Sequence, residues 1–171
     1  MKQFVSLRAA HIVGAALLAS LSVGAQAAGD NPFELIENKP LGELWVNPGF
    51  YSYHFQREKN LDDTNPGIGA EYRFSTVAAA TAGRFHNSDR AMSNYVGVYY
   101  QPFKLGPLRL GAVVGGFDGY PKMRNGGWFL AAIPVISVEY QRVGVNFAIV
   151  PNYKDRLHGA LAIQLKLKVF E

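Results

Sequence analysis

Near the C-terminus, Leu161, Ile163, Leu165, Leu167 and Val169 fill every second position, with Ala162, Gln164, Lys166, Lys168 and Phe170 between them. A period of two puts the first set on one face of a β-strand and the second on the other. Similar segments, rich in β-branched and aromatic residues and bounded by Gly, Pro, Asn or Asp, recur through the chain. Eight can be marked, at 45–55, 66–74, 77–86, 93–102, 107–117, 129–140, 142–151 and 158–170. Their lengths suit tilted strands that cross a bilayer, which need about 9–11 residues. Phe170 falls on the polar parity of the last segment, out of phase with its apolar row.

The connections divide into two kinds. Those near 74–76, 103–106 and 140–142 are very short, whereas 56–65, 87–92, 118–127 and 152–157 are longer and charged. Short turns at one end and long polar loops at the other are the pattern of outer-membrane barrels, and eight is the smallest usual strand number. The expected fold is therefore all-β, an eight-stranded antiparallel transmembrane β-barrel over 45–171. A soluble lipocalin-like barrel or β-sandwich is the competing architecture.

The N-terminus carries Lys2 and Arg8 and no acid, then an apolar or small-residue run over 12–25, then Ala25-Gln26-Ala27. That order describes a secretory signal peptide over 1–27, cut after Ala27, with an uncleaved anchor as the alternative. Removing it leaves 15 Lys and Arg against 13 acids, so the net charge falls from +4 to +2 and gives no argument for nucleic acid. Beyond it no run of ~18 apolar residues remains to form a spanning helix. The richest stretch, 129–150, is interrupted by Pro134, Glu139, Gln141 and Arg142. Segment 28–44 precedes the first strand. Within it Asn31 can cap, and Pro32 can open, a short amphipathic helix with Phe33 and Ile36 on its apolar stripe; a plain terminus is the alternative. Cysteine is absent, which excludes disulfides, zinc-thiolate sites and a thiol nucleophile.

A barrel is compatible with a pore, receptor, adhesin or enzyme. The chemistry-bearing residues gather at the long-loop rim, where His54 ends the first strand and Phe85-His86-Asn87-Ser88 ends the third. Alternate strand ends can meet across a narrow barrel mouth. His86 has the opposite parity to Asn87 and is read as a spectator. His158, at the head of the last strand, has no evident partner and is read as structural.

This arrangement resembles the lipid A palmitoyltransferases, the PagP group, in which a His near the top of the first strand is paired with an Asp-Ser dipeptide after the third. The family's Phe-x-Asp-Ser stands here as Phe85-His86-Asn87-Ser88, with Asn in place of Asp. The resemblance implies an outer-membrane acyltransferase that moves a palmitoyl or similar chain from a glycerophospholipid to lipid A, as a monomer and without a metal or cofactor. It implies His54 as general base, Ser88 as oxyanion donor or, less readily, nucleophile, and Asn87 as an orienting amide or second donor. Arg124, before Asn125, resembles an Arg-Asp that the family holds near its reaction centre. Pro48 and Pro66, and Pro134 and Pro151, resemble the paired prolines through which the family admits lipid sideways, since proline cannot donate to a β-ladder; each can equally mark a strand end. Gly97 lies in the strand to which the family assigns its acyl-chain well. The competing functions are a non-enzymatic OmpX-like structural or adhesion barrel and a lipid A deacylase or esterase.

Overall fold

The computed structural model describes residues 32–154 and 156–171. The expected signal peptide, its cleavage site and the capping Asn31 lie outside the described residues. Among the described residues nine strands are formed: β1 Phe33–Leu35, β2 Pro40–His54, β3 Thr64–Ser75, β4 Ala78–His86, β5 Met92–Leu105, β6 Leu108–Phe117, β7 Phe129–Tyr140, β8 Val143–Val150 and β9 Ala160–Phe170. From β2 to β9 each strand pairs antiparallel with the next, and β9 returns to β2, so eight strands close a ring. The expected barrel is what forms. Its first strand begins earlier than expected, at Pro40.

Three of its connections are tight: β3–β4, β5–β6 and β7–β8 are each joined by two residues. Gly106 and Gln141 take left-handed φ of 56° and 53° in the last two, as hairpin turns of this length require. The four long loops sit together at the opposite end, above His54, His86, Phe117 and Val150.

β1 is a correction. The helix expected to start at Pro32 is not formed, and Phe33–Leu35 instead pairs with Phe103–Leu105. β4 starts only at Ala78, opposite Tyr100, so the lower end of β5 lacks a neighbour on that side. Unpaired backbone there is costly, and the extended N-terminal segment satisfies it. The Ile36 amide donates to the Pro102 carbonyl at 2.8 Å, and the Phe33 ring stacks on Phe103 at 5.3 Å.

The barrel is apolar outside. Leu130 is 85% exposed and Ile68 75%, with Val96, Val114, Leu165 and Leu167 also outward. Phe170 joins this face. The register slips by one residue between Leu44↔Phe170 and Trp45↔Lys168, and that bulge returns the terminal aromatic to the outer row beside Leu44.

Inside, the lumen has two zones. The lower one holds Glu43, Glu71, Arg73, Glu139, Lys166 and Lys168 around Trp45, which is 1% exposed. Lys166 meets Glu71 at 2.9 Å and Glu139 at 2.8 Å, and Arg73 forks onto Glu139 and reaches Glu71 at 3.2 Å. The ammonium of Lys166 lies 4.9 Å from the Trp45 ring centre. Above this cluster Gln101, Ser137, Asn146 and Gln164 form a hydrogen-bonded belt. The upper zone is apolar, and its floor is the buried group Tyr99, Val113, Ile133 and Val135.

Breaking such a buried ion cluster by removing one partner typically costs about 3–5 kcal/mol. Glu71→Ala should therefore lower the urea-unfolding midpoint of detergent-held protein far more than Glu37→Ala, whose partner Lys39 is exposed.

Candidate active site

His54 faces the lumen because of a bulge in the middle of β2. Trp45 and Asn47 point inward at odd positions, while Ser52 and His54 do so at even ones. The change of parity occurs at Pro48-Gly49, where Pro48 alone stands opposite Gly67 and Ile68 of β3, between the pairs Asn47↔Gly69 and Gly49↔Pro66. Gly49 has φ +107°, and a Cβ there would lie 2.2 Å from the Asn65 carbonyl, so the bend admits only glycine.

Once turned inward, His54 is 6% exposed and its Nδ1 meets Asp63 Oδ1 at 2.9 Å. A carboxylate accepts, so Nδ1 carries the proton and Nε2 presents its lone pair. The hairpin itself delivers Asp63: the Ser52 amide donates to the Asp63 carbonyl at 2.7 Å.

Ser88 is held by a second chain of hydrogen bonds. Ser52 Oγ donates to Asn65 Oδ1 at 2.6 Å, and Asn65 Nδ2 donates to the His86 carbonyl at 3.0 Å and to Ser88 Oγ at 3.3 Å. With Oγ accepting from Asn65, the Ser88 hydroxyl is left to donate. The Asp62 amide also donates to the Ser88 carbonyl at 3.1 Å, which ties the first two long loops together.

His54 and Ser88 line one small chamber at the barrel mouth, together with Ser52, Asp89, Tyr120 and His158. Burial pushes the Tyr120 phenol well above its ordinary value. The chamber shares Ser52, Ser88, Tyr120, Val150 and Leu157 with a deeper cavity of about 90 Å³ that descends the apolar zone. Phe50, Phe85, Tyr95, Phe117, Phe129 and Ile133 dominate the wall of this well.

Asn87 is not part of the chamber. It is fully buried, with Nδ2 donating to Ser93 Oγ at 2.8 Å and the Gly119 carbonyl at 2.9 Å, while Oδ1 accepts from the amides of Asp89 and Ala91 at 3.0 Å each. All of its capacity is spent on the 87–91 turn and its link to the third loop. The side chain that hydrogen-bonds His54 is Asp63, not the Asn87 expected to orient it. Asp63 carries no motif in the sequence, and its place at the far side of the hairpin headed by His54 is the signal that marks it.

The remaining residues divide. Arg124, in a turn at φ 49°, lies apart from the chamber, in a groove on the outer wall with Leu130, Ala132, Pro151, Tyr153 and Arg156. That groove follows a seam. β7 and β8 pair from Val135↔Ala148 downward only, so residues 129–134, ending in Pro134, have no β8 partner, and β8 stops just before Pro151. Phe129, Ala131 and Leu157 line both the groove and the inner well. Pro48 and Pro66 flank the β2–β3 bulge instead, and Pro48 lines a second outer groove with Ile68, Leu165 and Leu167 where β2–β9 pairing lapses between Val46↔Leu167 and Tyr51↔Ile163. Gly97 sits at the level of Thr81, Gly115 and Ala131, a girdle of small residues. A Cβ on it would come within 2.8 Å of the Val114 carbonyl, so close approach of β5 and β6 already explains the glycine.

Compared with known proteins, the chain matches no protein-family model and no curated sequence.

Asn87→Asp tests the division of roles. A carboxylate cannot donate to the Gly119 carbonyl, so this variant should lose stability, by about 1–3 kcal/mol. Asp63→Asn should leave the unfolding midpoint nearly unchanged and alter chemistry at His54. Thermal or urea unfolding of the two variants separates the outcomes.

Proposed function

We propose that the protein is an outer-membrane acyltransferase that moves a palmitoyl or similar chain from a glycerophospholipid to a hydroxyl group of lipid A. The observation that carries this reading is the joining of two spaces: a chamber lined by His54, backed by Asp63, and by the Ser88 hydroxyl, and a blind apolar well directly beneath it. An acyl ester whose chain fills the well has its carbonyl at the chamber.

A lipid surround accords with the outer wall. Its apolar belt is bordered by Tyr51, Tyr53 and Trp128 near the long loops and by Tyr72, Tyr100, Tyr140 and Phe170 near the short turns. Aromatic girdles of this kind mark the two interfaces of a membrane barrel. The long loops would face outward, where lipid A resides.

The chemistry follows from the hydrogen bonds. His54 Nε2 takes the proton of the acceptor hydroxyl, and Asp63 stabilises the imidazolium that results. The acceptor oxygen adds to the ester carbonyl, and the Ser88 hydroxyl, fixed by Asn65, donates to the developing oxyanion. The phospholipid donor reaches the well from the outer leaflet through the β7–β8 seam. There Arg124 and Arg156, neither of them ion-paired among the described residues, suit a phosphate above the apolar groove. No step calls for a metal. A purely structural barrel would have no use for an unfilled upper lumen, and an esterase would share this chamber but deliver the chain to water.

Mass spectrometry of lipid A from outer-membrane extracts distinguishes these outcomes. Expression should add one fatty acyl chain, and His54→Ala, Asp63→Asn and Ser88→Ala should each cut the gain by about 10²–10⁴-fold in barrels that still fold. Loss of a chain would assign a deacylase. Full activity in all three variants would remove the assigned site.

A further inference from the structure

The chamber contains a second imidazole. His158, read from sequence as structural, is 8% exposed and lines the chamber that also holds His54 and Ser88. It arrives there by continuation of the β2–β9 ladder. His54 pairs with Ala160, and the Phe55 amide donates to the Gly159 carbonyl at 3.0 Å, so Gln56 and His158 come opposite one another. His158 Nδ1 meets Gln56 Oε1 at 2.8 Å. An amide oxygen only accepts, so Nδ1 bears a proton and the ring's Nε2 is the atom left for a substrate. The two imidazoles are thus presented alike, each locked at Nδ1, but one by a carboxylate and the other by a neutral amide.

Acyl transfer from a glycerophospholipid needs two proton movements. A base must take the acceptor's proton, and the departing glycerol oxygen, a poor leaving group as an alkoxide, must receive one. We propose that His158 is the general acid that protonates the leaving lysophospholipid, opposite His54 as base; the assignment rests on the transferase reading above. In the first step the acceptor O–H bond breaks, the proton goes to His54 Nε2 and the acceptor oxygen bonds to the carbonyl carbon. In the second, that proton passes from His54 Nε2 to His158 Nε2, the bond from the carbonyl carbon to the glycerol oxygen breaks, and the departing oxygen takes the proton from His158 Nε2. One proton is taken and one given, so both imidazoles end as they began. The neutral partner Gln56 orients the ring without tying its charge in place. The other ionisable groups lining this space are His54, Asp89 and Tyr120, with Asp63 behind His54.

A leaving group that needs no proton separates this role from a structural one. Detergent-held full-length protein is assayed with lipid A as acceptor and two donors, dipalmitoyl phosphatidylcholine and p-nitrophenyl palmitate, whose aryl oxide departs unprotonated. His158→Asn and His158→Gln should slow the phospholipid reaction about 10²–10⁴-fold and change p-nitrophenolate release less than about threefold, while His54→Ala slows both. Equal losses with the two donors, no loss with either, or failure of both His158 variants to fold would overturn the assignment. Wild-type protein that turns over neither donor would instead bring down the transferase reading itself.

Discussion

An eight-stranded ring leaves an interior just wide enough for side chains to fill, so whatever charge the strands turn inward must be neutralised there by other side chains. This constraint organises the lumen. Glu71, Glu139, Arg73 and Lys166 satisfy one another around Trp45, and the Gln101–Ser137–Asn146–Gln164 belt caps them. The lower half is thereby closed. The apolar half above it becomes a blind well with Tyr99, Val113 and Ile133 at its base.

The well would be without chemistry if β2 kept a single parity throughout. Leu44 and Val46 face outward, and an unbroken strand would carry His54 out with them. The Pro48-Gly49 bulge reverses the faces, and the cost of that irregular backbone is met by a glycine that alone tolerates φ +107° beside the Asn65 carbonyl. Asn65 then serves both sides of the rim, accepting from Ser52 on β2 and donating to Ser88 in the second long loop. Fold and candidate site are joined at this one bend.

Much of the barrel was legible in the sequence because the period of two in each strand is a direct image of its two environments. The alternation over 161–169 gives the facing of β9 correctly, and turn residues separate the strands to within a few positions. Three things were not legible. Bulges leave no periodic mark, so the inward turn of His54 and the outward return of Phe170 had to be seen in register. The strand at Phe33–Leu35 depends on an edge that β4 leaves open elsewhere in the chain, which overrides a locally plausible helix start. At the rim, motif resemblance drew attention to Asn87, whose amide is fully committed to its own turn. Asp63 and His158, which flank the chamber through hairpin and ladder geometry, carry no motif at all.

The proposed transfer requires a fatty chain in the upper lumen. Intermolecular nuclear Overhauser effects between an acyl-chain ligand and methyl-labelled protein measure this directly. With a palmitoyl phospholipid in perdeuterated detergent, the chain's terminal methyl should contact the methyls of Val113 and Ile133 at the foot of the well. Contacts limited to Ile68, Leu130 and Leu165 on the outer wall would show that lipid only surrounds the barrel, and would contradict the account.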